Sequence, residues 1–308
     1  DLIFLGGGIE TSASRSAYAI FAEAAKQTSE KVEVRGAIRY EKLESDSSVN
    51  PKLSVRMQAN ENLVLRGSVS TSFREPSLSQ LNQSSVGLQG IQDFDTSGAP
   101  VGQPSFIRIA QAYSSDLVPE ESTNLNIGAV WTPNDQFSMK FDYWSINYED
   151  VITIESAQGK VLADPNGPDV VRLVDGTLIG VTTRYKNASE VDTDGYDIEA
   201  SYNFESRLGN VNLGINRAHM LSYEIPASGG GMKDVVGLFN QDNFARSLPE
   251  TKTVISASLT NGNHSMAAFY RMISDYETTN VPNALGASLG LGQDIDEFNV
   301  LDLKYSYS

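Results

Sequence analysis

The dominant feature of this sequence is an alternation of apolar and polar residues with a period of two, repeated along most of the chain. Between residues 31 and 43, for example, Val34 and Ile38 alternate with Arg35 and Arg39. Successive side chains of a β-strand point to opposite faces, so this pattern predicts a strand with one apolar and one charged face. The alternation recurs at residues 53–60, 65–70, 124–131, 137–144, 196–204 and 301–307. No comparable stretch has helical spacing, so we expect an all-β fold.

The alternating segments predict eleven strands, including the Ala-rich segment 16–26, which we assign to a strand because its neighbours are strands. The predicted strands cover residues 14–26, 31–43, 51–60, 62–74, 122–132, 136–152, 180–204, 209–223, 250–260, 264–276 and 298–308. This count requires residues 180–204 to form one long strand that bends around residues 192–195.

The connections between these strands alternate between short and long. Short ones are expected at 27–30, 60–62, 132–136, 205–209 and 260–263, and longer ones at 44–50, 75–121, 153–178, 224–249 and 277–297. In an antiparallel meander, consecutive turns lie at opposite ends. All short turns should therefore lie at one end of the sheet and all long loops at the other.

Composition excludes several classes of protein. The net charge of −16 and the pI near 4.5 argue against a nucleic-acid-binding protein, which should carry a basic surface. The absence of cysteine excludes disulfides, thiolate metal sites and cysteine nucleophiles. Only two histidines are present, which leaves little material for a histidine metal centre, and we expect no metal site and no cofactor.

Two environments can explain the alternating strands. In a soluble β-protein the apolar face packs on a core, whereas in an outer-membrane barrel it faces lipid and the polar face lines a lumen. The apolar faces here mix small residues with aromatics. The polar faces carry Ser, Asn and charges of both signs, and aromatics lie near several strand ends. These features and the one-sided long loops favour the membrane barrel.

Several segments resemble the β-barrel of TonB-dependent outer-membrane receptors. The segments, in family order, are NPKLSVR at 50–56, LVLRGS at 63–68, SFREPS at 72–77, PEES at 119–122, FDYWSI at 141–146, DVI at 150–152, GYDIE at 195–199 and LPE at 248–250. Each block alone is weakly specific, but together their order and spacing cover most of residues 14–308.

The resemblance implies an antiparallel transmembrane β-barrel, of which about eleven strands out of about 22 are present here. Residues 1–308 would form a single partial barrel domain, without the plug, the earlier strands and the last two strands. The implied protein lies in the bacterial outer membrane and binds a scarce nutrient of the siderophore, oligosaccharide or cobalamin class. Its implied partners are the lipid bilayer, the nutrient and the inner-membrane TonB complex, which would supply the energy for import.

We expect no catalytic residues and no enzymatic activity, because neither histidine lies near a nucleophile motif. The expected ligand contacts are aromatic, amide and arginine side chains of the long loops: Phe94, Phe106, Arg108, Tyr113, Arg172, Phe239, Asn243, Phe244, Arg246 and Tyr276. The side chains expected to face the lumen or plug are Arg35, Arg39, Arg56, Arg66, Asp142, Asp197, Glu199 and Arg271. For each of these charges, cross-strand pairing that only stabilises the wall is the competing interpretation.

Two other functions remain open from the residues alone. A passive porin-type channel would have a loop folded into the pore and no plug. A soluble glycan-binding β-protein would pack its apolar faces on each other and would remain in solution without detergent.

Overall fold

The computed structural model describes residues 7–8, 10–43, 46–187, 190–227, 231–240, 246–278, 288, 290 and 292–308, and these are mainly β-strands. The strands are β1 (Gly7–Gly8), β2 (Ala17–Ser29), β3 (Val32–Leu43), β4 (Ser47–Asn60), β5 (Leu63–Arg74), β6 (Ser85–Phe94), β7 (Pro100–Ala112), β8 (Glu120–Asn134), β9 (Phe137–Glu149), β10 (Ile152–Ile154), β11 (Val170–Arg172), β12 (Leu178–Asn187), β13 (Val191–Ser206), β14 (Gly209–Pro226), β15 (Met232–Asp234), β16 (Leu238–Asn240), β17 (Arg246–Ser247), β18 (Thr251–Asn261), β19 (His264–Ile273), β20 (Tyr276–Thr278), β21 (Asp294–Ile295) and β22 (Phe298–Tyr307). Two short helices have defined bounds among the described residues, α1 (Leu78–Asn82) and α2 (Ala157–Ala163).

Eleven long strands form one antiparallel sheet, which we call the wall sheet. Its order is β2-β3-β4-β5-β8-β9-β13-β14-β18-β19-β22, and the short β15 pairs with β14 at one end. The predicted number of long strands is confirmed, and the Ala-rich segment 16–26 lies largely in β2.

The predicted asymmetry of the connections is also confirmed. Two residues separate β2 from β3, β4 from β5, β8 from β9, β13 from β14 and β18 from β19. Gly209 and Gly262 have φ values of +122° and +56° at two of these turns, a conformation that favours glycine. The longer connections leave and re-enter the wall sheet at its opposite end, which we call the long-loop end.

The prediction of one strand over residues 180–204 is wrong. The segment forms β12 and β13, which belong to different sheets: β13 pairs with β9 and β14, whereas β12 pairs in parallel with β7. Period-two alternation continues through both strands, so it could not reveal the change of sheet. The wall sheet still has eleven long strands because β12 lies outside it, and an irregularity between Asp194 and Gly195 lies inside the expected bend.

The described parts of the long connections, together with β1, form two smaller sheets. The loop sheet contains β1, β6, β7, β10, β11 and β12, and the rim sheet contains β16, β17, β20 and β21. Both helices lie in long connections, where the sequence analysis expected none. Each is too short to show a helical period: α1 is fixed by a capping box between Ser77 and Gln80, and α2 begins at the N-cap Ser156.

The loop sheet has its own apolar core. Helix α2 buries Ala157 and Val161, and these residues pack with Ile91, Ile107, Ile109, Leu178 and Val181 from three strands. Their burial explains why β12 leaves the wall sheet. A second buried cluster joins the wall sheet to its loops through Val191, Ile225, Val235 and Leu248.

Across most of its strands the wall sheet has one polar and one apolar face, although in β2 Phe21 lies on the polar face opposite Arg39. On the apolar face, large side chains remain exposed, including Leu125, Ile127, Leu213, Ile255 and Leu303. Such a continuous exposed apolar surface is the outward band that a lipid-facing barrel wall presents. Neither helix in the described residues has the length and hydropathy needed to cross a membrane.

Candidate ligand-binding cleft

The polar face collects all eight side chains that the sequence analysis assigned to the lumen. The strand registers place Arg56, Arg66, Asp142 and Asp197 in one row, and Glu199 and Arg271 share a second row. Arg35 and Arg39 lie on the same face of β3.

Most of these charges are paired within the wall. Arg66 binds Asp142 through two hydrogen bonds of 3.0 and 2.5 Å, and Lys140 Nζ lies 3.1 Å from Glu199 Oε1. The other pairs are Arg35 with Glu33, Arg39 with Glu41 and Arg271 with Asp302. This pairing favours the wall-stabilising interpretation for these residues, and whether they contact a plug remains a prediction.

Above the row of charges, towards the long loops, the polar face becomes aromatic at Trp144. The indole leans across the neighbouring strand onto Gly195, its partner in the register. A Cβ built on Gly195 would lie 2.6 Å from Trp144 Cζ2 and 2.4 Å from the backbone oxygen of His219. The Trp144 side chain also interacts with the carboxylate of Asp197. Two residues of the GYDIE segment at 195–199 therefore position this indole.

A cleft of about 650 Å³ opens beside Trp144, between the polar face and the loop sheet, at the long-loop end. Its lining combines aromatic rings, hydroxyls, one amide and one ion pair: Arg74, Gln111, Glu120, Trp144, Ile146, Tyr148, Val151, Ile152, Thr153, Ile154, Tyr185, Val191, Thr193, Met220 and Tyr223. Such a mainly apolar pocket with a few fixed polar groups is typical of small-molecule sites.

The ion pair in the cleft connects the wall to the loops. Arg74, the last residue of β5, donates hydrogen bonds from Nε and Nη2 of its guanidinium to the two carboxylate oxygens of Glu120. Glu120 Oε1 also accepts a hydrogen bond of 2.7 Å from the backbone N–H of Ile152. The charges of the pair therefore compensate each other, and the described cleft lining presents rings, hydroxyls and an amide to a ligand.

The loop side of the cleft is held by side-chain hydrogen bonds. Gln111 donates to the hydroxyl of Tyr185, and Ser114 donates to the Tyr185 backbone oxygen at 2.5 Å. Asn187 donates to the backbone oxygens of Val118 (2.9 Å) and Asp150 (2.6 Å). Asp150 has a φ of +54°, so this contact also stabilises an uncommon backbone conformation at the end of β9.

Ion pairs fix the loop sheet beyond the cleft. Arg172 binds both oxygens of Asp93, at 2.8 and 2.6 Å, and this hydrogen bonding lowers the pKa of Asp93. Lys160 lies 2.5 Å from Glu155 and 2.6 Å from Asp169. Hydrogen bonds from Lys160, and secondarily from Arg184, lower the pKa of Asp169.

The loop residues predicted to contact a ligand are scattered, and the described lining of the cleft contains none of the ten. Phe94 packs against the loop-sheet core, and Arg172 is held by Asp93 and by two backbone oxygens. Phe106, Arg108 and Tyr113 are exposed on or just after β7. Phe239 lies in β16, Tyr276 in β20 and the backbone of Arg246 in β17. Asn243 and Phe244 lie outside the described residues. Ligand binding by these residues stays a prediction.

Sequence reasoning missed the aromatic residues of the cleft. Trp144 and Tyr148 share the alternation of Lys140 and Asp142, so the pattern already placed two aromatics on a polar face. Aromatic residues at polar-face positions were therefore the sequence signal that could have identified these two cleft residues. Tyr185 and Tyr223 come from β12 and β14, and only the folded loops bring them near Trp144.

The comparisons with known proteins agree with the architecture. A family model described as TonB dependent receptor-like, beta-barrel matches residues 4–308. No match was found among curated protein sequences.

Three solved structures illustrate the similarity. The siderophore receptor PirA from Acinetobacter baumannii is 13% identical with a TM-score of 0.63, and the match covers 95% of this chain and 39% of that one. A mutant of the ferric enterobactin receptor PfeA from Pseudomonas aeruginosa is 14% identical with a TM-score of 0.66, covering 96% and 38%. The FrpB iron transporter from Neisseria meningitidis is 15% identical with a TM-score of 0.59, again covering 96% and 38%. At this identity the match concerns the fold, and the chain spans 38–39% of the length of these structures.

Proposed function

Because this chain belongs to the TonB-dependent receptor β-barrel family, we propose that it forms a ligand-binding part of the barrel of an outer-membrane nutrient receptor. The family is one of transport receptors located in the outer membrane. The proposed nutrient belongs to the siderophore, oligosaccharide or cobalamin class and enters from the long-loop end. Import would be driven by the TonB complex, and the coupled step would be protein motion without covalent chemistry.

The observation that carries the proposal is the cleft between the polar face and the loop sheet. Its aromatic rings can stack on a ring-bearing solute, while Gln111, Thr153 and Thr193 offer hydrogen bonds. The indole of Trp144 is already held in place by Gly195 and Asp197, so a ligand would bind with little loss of side-chain freedom. The siderophore and iron receptors among the similar folds are consistent with this class of ligand.

The two tryptophans allow a direct test of ligand position. Trp144 lines the cleft, whereas Trp131 lies on the apolar face near the two-residue turns. In the full-length receptor in detergent, tryptophan fluorescence would be titrated separately with ferric enterobactin, cyanocobalamin and maltohexaose. We expect one of these probes to quench the wild type and Trp131→Phe equally, and Trp144→Phe much less.

Affinity provides the second readout. Replacing Trp144 by Ala should weaken binding of the quenching probe about 30-fold, which corresponds to about 2 kcal/mol for a well-packed aromatic contact. Equal affinity in the wild type and Trp144→Ala would exclude this cleft as the ligand site. Uptake of the same probe by cells should require TonB, and TonB-independent uptake would instead support the passive-channel alternative.

A further inference from the structure

A positively charged side chain, Arg217, lies on the apolar face of the wall sheet and does not line the cleft on the polar face. Arg217 lies in β14, where the register places it between Ile198 of β13 and Thr253 of β18. It is partly exposed and lies between Ile215 and His219 on the same face of its strand. Thr253, opposite it, is only 6% exposed.

Arg217 differs from the paired cations of the polar face. Among the described residues, no carboxylate lies within 4.0 Å of its guanidinium, and none of its side-chain nitrogens has a hydrogen-bond partner. The nearby acids are engaged elsewhere. Glu250 Oε1 lies 3.2 Å from His219 Nε2, and Asp194 accepts hydrogen bonds from Tyr143 (3.0 Å) and from Ser222.

The height of Arg217 along the wall is defined by its neighbours on the apolar face. Towards the two-residue turns the next outward residues of β14 are Ile215 and Leu213, which are exposed and apolar. Towards the long loops, the outward residues become polar and acidic, with Asp194, Ser222 and Glu224. Arg217 therefore lies at the boundary between the lipid-facing band and the polar rim, where headgroups of the adjacent leaflet would be found.

Rings border the same position. His219 stacks on Tyr196 with ring centroids 4.8 Å apart and planes 8° from parallel, and Tyr196 stacks on Phe141 at 5.7 Å. Aromatic side chains are typical of membrane interfaces. The Nδ1 atom of His219 is buried, and its Nε2 faces Glu250. The histidine ring therefore flanks Arg217, and the positive charge at this place comes from the Arg217 guanidinium.

We propose that Arg217 binds the phosphate of an anionic lipid headgroup in the leaflet at the long-loop end. A lipid-facing arginine is strongly unfavourable at the bilayer midplane but much less so near the interface, so the side chain is tolerated where it can reach headgroups. An arginine without a protein partner offers its planar donors to a phosphate. The acidic residues above Arg217 repel a phosphate, so they confine it to the level of the guanidinium.

The test uses the full-length receptor in detergent and counts bound lipid by native mass spectrometry. The probes are dimyristoyl phosphatidylglycerol, which is anionic, and dimyristoyl phosphatidylcholine, which is zwitterionic. We expect Arg217→Gln to retain about fivefold less phosphatidylglycerol than the wild type, since one interfacial arginine contributes about 1 kcal/mol. Arg217→Met should show the same loss, and Arg217→Lys should retain most of the lipid.

Controls separate this site from general charge effects and from a free-anion site. Arg56→Gln removes a cation from the opposite face and should bind phosphatidylglycerol like the wild type. Heat-modifiable migration on gels verifies that each variant is folded. Undiminished phosphatidylglycerol on folded Arg217→Gln or Arg217→Met would overturn the proposal. So would equal retention of phosphatidylcholine, or displacement of the lipid by inorganic phosphate as efficiently as by excess phosphatidylglycerol.

Discussion

Trp144 and Gly195 face each other across β9 and β13, and the indole occupies the space that a side chain at residue 195 would need. The same glycine lies against the backbone oxygen of His219, which would be 2.4 Å from an added Cβ. Backbone cannot move aside as a flexible side chain can. Gly195 thus determines both how closely β13 and β14 approach and where the aromatic platform of the cleft lies.

We therefore expect Gly195→Ala to destabilise the full-length protein by about 1–3 kcal/mol, the usual range for overpacking. It should also weaken ligand binding, because the indole must leave its position. Gly36→Ala is the matched control. Gly36 lies in the same sheet, and a Cβ built on it would have no atom within 4 Å. Urea unfolding in lipid vesicles measures the difference. Equal stability of the two variants would contradict the close approach at Gly195.

A second prediction concerns the contact between Glu120 and Ile152. Glu120→Ala removes the acceptor of the Ile152 N–H and leaves Arg74 without its partner. Hydrogen exchange at the Ile152 amide should accelerate about tenfold, which corresponds to a hydrogen bond to a charged group of about 1.4 kcal/mol. Glu120→Gln keeps an acceptor oxygen and should exchange at an intermediate rate. Unchanged exchange in Glu120→Ala would mean that the loop is held elsewhere.

The wall sheet was predictable from sequence because each strand carries its own period-two signal, and two-residue turns leave little freedom in register. The cleft was not predictable in the same way. Its aromatic rings come from β9, β12 and β14. Strand β12 joins the loop sheet through the burial of Leu178 and Val181, which alternation alone cannot assign to a sheet. Arg172 illustrates the same limit, because its partner Asp93 lies 79 residues away.

A third prediction follows from the lowered pKa of Asp93. Hydrogen bonding to Arg172 is the main cause, so the folded loop sheet holds this carboxylate ionised below the ordinary Asp value of 3.8. The stabilisation is present above that value and is lost as pH falls through the lower folded pKa. Protease cleavage of the long loops after incubation at pH values from about 5 to 2 should increase in the acidic part of this range. In Asp93→Asn the long loops should be cleaved readily at every pH. Resistance to the protease equal to that of the wild type would contradict the prediction.

The pKa of Glu75 is raised rather than lowered, so its predicted effect of pH on stability is opposite to that of Asp93. Its side chain is only 4% exposed, Oε1 has no partner, and Oε2 lies 3.1 Å from Arg15. Burial is the main cause of the raised pKa of Glu75, and Asp46 and Glu41 add to it. The folded state then binds the proton more tightly, so the stability that this group contributes is greatest below the ordinary pKa of 4.5 and falls as pH rises through the folded pKa.

Glu75→Gln, which stays neutral, should remove this part of the pH dependence of urea unfolding, measured in vesicles. Glu61→Gln, a change at an exposed two-residue turn, serves as the control and should keep the wild-type slope. Identical slopes for the wild type and Glu75→Gln would show that the buried carboxyl does not titrate in this range.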